Sequence, residues 1–190
     1  MDIYRSERKR DYRTAMEYYW KRGDRTTVSA ALPLFTLSQD ALSAILKRNG
    51  IGGKEAEEIE RFRMDYLTIV TEFIKSNHLM ITVPAATKEE FEVNPIHLAL
   101  AEMFFETDVS YTYDEYTAHL QATIDFAEQH DNLTVKPDPA PVFRNITYTF
   151  IEKTAVIVSK NKFPTIHFII HHKKMINVFS GFVPPVKEVY

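Results

Sequence analysis

Two nearly continuous apolar runs close together in the last third of the chain, "KTAVIVS" (153–159) and "TIHFIIH" (165–171), constrain the fold most. A strand with one face in water alternates apolar and polar residues. A run that does not alternate suits a central strand covered on both faces. The stretch before them, "RNITYTFIE", does alternate and reads as a half-buried strand. "KKMINVFSGFV" reads as a closing helix stopped at Gly181, ahead of Pro184 and Pro185.

The first two thirds read as alternating strands and helices. "TTVSAALPLF" is expected as a strand with Pro33 near its end, and "LSQDALSAILKRNG" as a helix capped by Ser38 and stopped by Asn49-Gly50. The longest helical pattern is "GGKEAEEIERFRMDYLTIVTEFIKSN". Its stripe runs through Ile59, Phe62, Tyr66, Ile69, Val70, Phe73 and Ile74, with Arg63 expected to extend its charge to the rim. "HLMITVPAA" is a short strand ended by Pro84, and "NPIHLALAEMFFE" a helix capped by Asn94. "TYDEYTAHLQATIDFAEQH" is a helix capped at Thr112 with Glu115 three residues on, and "NLTVKP" is a further strand. In residues 2 to 22, Tyr12, Met16 and Tyr19 follow helical spacing, broken by "RGDR". The fold class that results is α/β, a mixed β-sheet sandwiched by helices. Residues 1–22 are expected as an N-terminal connector helix and 23–190 as a single sensor-like domain.

With 190 residues the chain suits one domain with a sizeable core. A net charge of −3 gives no bulk attraction for nucleic acid, although Arg5, Arg8, Lys9, Arg10 and Arg13 cluster locally. The absence of cysteine excludes disulfides, thiolate zinc sites and cysteine nucleophiles. No run approaches a membrane span and the start lacks a signal peptide's apolar core, so a cytoplasmic location is expected.

Three histidines lie near one another, at 167, 171 and 172. On a strand, His167 and His171 share a face but stand about 13 Å apart, too far to bind one ion. "HHKK" reads instead as a solvated helix start. The acidic pairs Glu57-Glu58, Glu89-Glu90 and Asp114-Glu115 fall on helix or loop surfaces, where adjacent carboxylates diverge. No G-x-G-x-x-G, Walker loop, G-x-S-x-G or H-E-x-x-H occurs, and "RNGIGGK" is a turn between helices.

Segment order and wording resemble the C-terminal effector region of Firmicute Xre-type helix-turn-helix transcriptional regulators. The likeness is carried by "RTTV", "IHLALAEMFFETDVSYTYDEYTAHLQATIDFAEQH" and "FRNI…AVIVSKNKFPTIHFIIHHKKMINVFSGFV". A second resemblance is to a phospholipase D-like half. That family's half-site reads H-x-K-x(4)-D-x(6)-G-S-x-N along a hairpin of strands. Ser159 and Asn161 match its end; Val158, Ile151, Ile146 and Arg144 stand where Gly, Asp, Lys and His belong. The chemistry needs a His nucleophile and a Lys to stabilise phosphoryl charge, so this resemblance implies a catalytically inactive relative.

The resemblances imply a non-enzymatic ligand-sensing or oligomerisation domain of a bacterial regulator, with its DNA-binding domain upstream and absent from this chain. The implied partners are a small-molecule effector and a second copy in a homodimer, with DNA reached only through the upstream domain and no membrane. No catalytic residue, cofactor or metal is expected. Arg144, Asn145, Ser159, Lys160 and Asn161 are expected to line a polar notch at strand ends, with Thr26 and Thr27 as secondary members. The rival account of each is turn chemistry and edge solubility. Two alternatives stand beside this reading. One is a hydrolase or transferase acting on a phosphorylated or sugar substrate. The other is a protein-interaction module with a patch of Met103, Phe104, Phe105 and Tyr111.

Overall fold

The computed structural model describes residues 2–5, 25–29, 32–98, 109–138, 146–151, 153–160 and 166–181; residues 2–5, 25–29, 138, 146–148, 159–160 and 166–167 are described as backbone. The chain is α/β, and its described strands form one seven-stranded mixed sheet. In chain order they are β1 (Asp2–Arg5), β2 (Arg25–Ser29), β3 (His78–Pro84), β4 (Leu133–Asp138), β5 (Ile146–Ile151), β6 (Ala155–Lys160) and β7 (Ile166–Ile170). They lie side by side as β1-β7-β6-β5-β2-β3-β4. β2, β3 and β4 are mutually parallel, while β5, β6, β7 and β1 alternate in direction. The carboxyl ends of β2, β3, β4 and β6 therefore share one rim with the amino ends of β5 and β7.

The pairing register assigns the two faces. Leu79, Ile81, Val83 and Leu133 lie on one face and belong to the main core. Helices α1 (Gln39–Arg48), α2 (Gly53–Ile74), α3 (Lys88–Val93) and α4 (Tyr113–Glu128) contribute Leu42, Ile45, Ile59, Val70, Phe91 and Tyr116 to the same core. On the other face, α5 (Lys173–Ser180) sets Ile176 against Phe150, Val156 and Ile170. Helices thus cover both faces, and the two apolar runs become β6 and β7, adjacent in the sheet. Ile151, Ala155, Ile157 and Ile169 form a third buried cluster on the first face.

Local signals explain most boundaries. Ser38 accepts from the Ala41 amide, and Thr112 and Glu115 form the reciprocal capping box. α1 ends in a Schellman turn: Ile51 N–H donates to Leu46 C=O at 2.9 Å and Gly50 N–H to Lys47 C=O at 3.1 Å. Gly50 has φ 77°, a left-handed conformation that costs glycine little. Leu46 and Ile51 then pack in the same core.

Four expectations change. Residues 2–5 are an edge strand paired with β7, so no connector helix spans 2 to 22; residues 6–24 lie outside the described part. The strand expected from Thr26 to Phe35 ends at Ser29, and Leu34–Thr36 form a 3-10 turn after Pro33. Asn94 ends α3 rather than starting a helix. The capping box Thr87–Glu90 begins that helix, and Pro95 disfavours helical backbone at Asn94. His97 and Ser110 then form an antiparallel bridge. Arg63 does not reach the rim: it is buried, pairs with Glu60 and donates to Leu37 C=O at 3.0 Å. It ties α2 to the turn that precedes α1.

Candidate functional site

β6 carries Ser159 and Lys160 to its carboxyl end, where Ser159 pairs with Thr147 and Lys160 with Ile146 of β5. As consecutive strand residues they fall on opposite faces, so they do not line one side of a notch together. Arg144, Asn145 and Asn161 adjoin these strand ends in sequence and lie outside the described residues. Thr26 and Thr27 are placed elsewhere. Thr26 pairs with Ile151 and Thr27 with Phe150, near the far end of β5. Each is four β5 positions from the level of the β6 residue on its own face, about 14 Å along the strand. The two threonines therefore do not join Ser159 and Lys160.

The register adds neighbours that local pattern did not indicate. Thr147 pairs with Ser159, Ser159 with His167, and His167 with Tyr4. These four residues form one cross-strand row on one face over β5, β6, β7 and β1. One row inward on the same face lie Thr149, Ile157 and Ile169, at 5%, 2% and 1% exposure, and Asp2 of β1, which pairs with Ile169. The signal that could have found Thr147 is the three-residue β5–β6 connection, which sets its pairing with Ser159; His167 and Tyr4 are aligned only by the pairing of β7 with β6 and β1.

A second polar constellation is buried in the helical half. His119 of α4 donates through Nε2–H to the Pro33 carbonyl at 3.1 Å, an acceptor-only group, which assigns that tautomer. Its Nδ1 then accepts from the Tyr111 hydroxyl at 2.8 Å. Thr36 Oγ1 lies 3.0 Å from Nε2 and 2.8 Å from Thr123 Oγ1, and Thr123 is also 2.8 Å from the His119 carbonyl. Burial lowers the imidazole to about 4, against a smaller opposing effect of the Pro33 carbonyl. Burial, and then the Glu115 carboxylate, raise the Tyr111 phenol. A neutral histidine has one donor and one acceptor nitrogen, and both are satisfied. This network joins α4 to the Pro33 turn and to residue 111. Its sequence signal was the stripe Tyr116, His119, Thr123, with polar members on a core-facing helix side.

Tyr111 is 5% exposed, so it takes no part in an open apolar patch; Met103, Phe104 and Phe105 lie outside the described residues. His171, His172, Lys173 and Lys174 are exposed at the start of α5, as the solvated helix start predicts. Among the described residues no group of three or more His, Asp or Glu could hold a metal ion, and no helix is long and apolar enough to cross a membrane. No family model matches the chain, and no match was found to a curated protein or to a solved structure.

Proposed function

We propose that this chain is a non-enzymatic ligand-sensing domain of a bacterial transcriptional regulator. It resembles a phospholipase D-like half without that family's chemistry. The observation that carries the reading is what stands at the family's reacting positions. Ile146 and Ile151 occupy the places of Lys and Asp, and Ile151 is completely buried in an apolar cluster. An aliphatic side chain can neither stabilise phosphoryl charge nor hold a histidine in its reactive tautomer. The order of elements from β2 onward supports the likeness: β2 followed, after a 3-10 turn, by α1, the β5–β6 hairpin at the half-site, and "IHFII" followed by a closing helix.

On this reading an effector binds at the carboxyl rim of the sheet, and a helix-turn-helix upstream of the chain contacts DNA. The domain works as a cytoplasmic homodimer. A thermal-shift screen of metabolites, run beside phosphodiesterase and phosphomonoesterase panels, tests it. At least one metabolite is expected to raise the melting temperature saturably, with no turnover in either panel. Turnover that disappears in an Arg144→Ala protein would replace this reading with the hydrolase or transferase alternative.

A further inference from the structure

α5 carries an apolar arc wider than the sheet beneath it uses. Ile176 is buried against Phe150, Val156 and Ile170, and half-buried Phe179 borders the same cluster. At about 100° per residue, Met175, Val178 and Phe179 continue that arc as an i, i+3, i+4 set. Met175 and Val178 lie on its far side, 44% and 59% exposed. The other exposed large hydrophobics, Met64 and Val93, stand singly on α2 and α3. Single exposed apolar residues need no partner, whereas a pair continuous with a core cluster marks a contact surface. The charges of α5 are also reversed against its own dipole. Anions stabilise a helix N-terminus and cations its C-terminus. α1 follows this rule, with Asp40 in its first turn and Lys47 and Arg48 in its last. α5 does the opposite: exposed Lys173 and Lys174 open it, His172 supplies no side-chain cap, and its last turn has no basic residue.

We propose that α5 is the homodimer contact, packed antiparallel on the α5 of a second copy about a two-fold axis. The proposal rests on the homodimer in the regulator reading and names its surface. An axis through the middle of α5 sets Met175 of each copy against Val178 of the other. The same pairing carries Lys173 and Lys174 of each copy to the C-terminal turn of the other α5. There the dipole is negative and the last carbonyls lack helical donors. One arrangement thus covers the open half of the apolar arc and supplies both helix ends with the charge they lack. A parallel pair would crowd the lysines of the two copies together and leave both C-terminal ends uncompensated. A helix of eight residues is only about 12 Å long, so the pair covers less than the roughly 800 Å² per partner of a standard interface. The dimer is therefore weak and concentration-dependent.

Sedimentation equilibrium of the full chain from about 10 µM to about 500 µM tests this. A monomer–dimer equilibrium is expected. Val178→Lys and Met175→Lys each remove an apolar contact and add a cation beside the lysines of the other copy, so each is expected to weaken the dimer at least about 10-fold. Met64→Lys, at a methionine of similar exposure on α2, is expected to leave it within about twofold. Circular dichroism checks that each variant is folded, and two variants keep the test usable if one is not. Orientation is read by cross-linking, because the chain has no cysteine of its own. Met175→Cys mixed with Val178→Cys is expected to form a disulfide between the two proteins, whereas Lys173→Cys alone, whose copies the antiparallel pair holds apart, is not. Three results would overturn the proposal: the chain is monomeric at every concentration, both lysine variants dimerise like the parent, or Lys173→Cys links to itself faster than the mixed pair. A dimer that ignores both substitutions excludes α5 and leaves the homodimer standing on another surface. A monomer throughout removes the homodimer as well, while effector binding is judged separately by the thermal-shift screen.

Discussion

The helical half and the strand-rich third use the same polar residue types in opposite ways. Around α4, the groups of His119, Tyr111, Thr36 and Thr123 satisfy one another and the Pro33 carbonyl inside the core. Across β5, β6, β7 and β1, Thr147, Ser159, His167 and Tyr4 form a row at the rim of a covered face. A buried polar group left without a partner costs about 1–3 kcal/mol, so the first arrangement holds the fold together only while it is complete. On the proposed reading the second group takes its partners from an effector, so the first arrangement is architecture and the second is recognition.

Truncating the core breaks this comparison hardest. Leu79→Ala, at a completely buried position of β3 between two parallel neighbours, is expected to cost about 3–4 kcal/mol in urea unfolding. Val178→Ala on α5, 59% exposed, should stay within about 0.5 kcal/mol.

Acid comes next. His119 titrates at about 4 when folded and 6.5 when unfolded, so between those values only the unfolded chain takes the proton. Its contribution is fully present above about pH 6.5 and is lost as the pH falls to about 4. That gap corresponds to roughly 3 kcal/mol. Unfolding free energies measured from pH 7 to pH 4 should show this loss, and a His119→Gln protein should lack the dependence between pH 6.5 and 4.5.

Arg63→Ala is expected to cost about 1–3 kcal/mol, since it leaves the Leu37 carbonyl without its guanidinium donor and Glu60 without its partner. The smallest effect belongs to Glu115→Gln. Burial works to raise the Glu115 carboxyl, but hydrogen bonds from Arg48 and from the Thr112 amide, with the Arg48 charge, hold it below its ordinary value. That contribution is present above the ordinary carboxylate value of 4.5 and is lost only as the pH falls through the lowered folded value, so it separates from the His119 loss at higher pH. Glutamine keeps the capping geometry and removes the charge. A loss of about 0.5 kcal/mol, shrinking in high salt, is expected from denaturation at two salt concentrations.

How much of this was legible in the sequence follows from the range of each signal. Ser38, Gly50, Thr112 and the unalternating runs of β6 and β7 act through neighbours a few residues away, and those elements read correctly. β1 is only four residues long and owes its conformation to pairing with β7, more than 160 residues later. Asn94-Pro95 resembles a helix start, but Thr87–Glu90 already begins the helix that Asn94 ends. Arg63 looked like a rim residue because nothing local announces that the Leu37 carbonyl awaits it. The candidate site was half legible. Ser159 and Lys160 of "SKN" fall at the carboxyl end of β6, but Thr26 and Thr27 were grouped with them without a register, which places the threonines near the other end of β5. His167 and Tyr4 enter only when strand pairing aligns them. His119 went unremarked because a helical stripe gives burial and not hydrogen-bond partners.

The most direct test compares urea unfolding of Thr123→Val and Ser159→Ala at pH 7. Thr123 is 1% exposed and bonded within the α4 network, so valine should cost about 1–3 kcal/mol. If Ser159 belongs to the proposed effector site, Ser159→Ala should stay within about 0.5 kcal/mol of the parent, since its partner would come from the ligand and not from the fold. Equal losses in the two variants, or a larger loss at Ser159, would contradict the division between an architectural half and a recognising one.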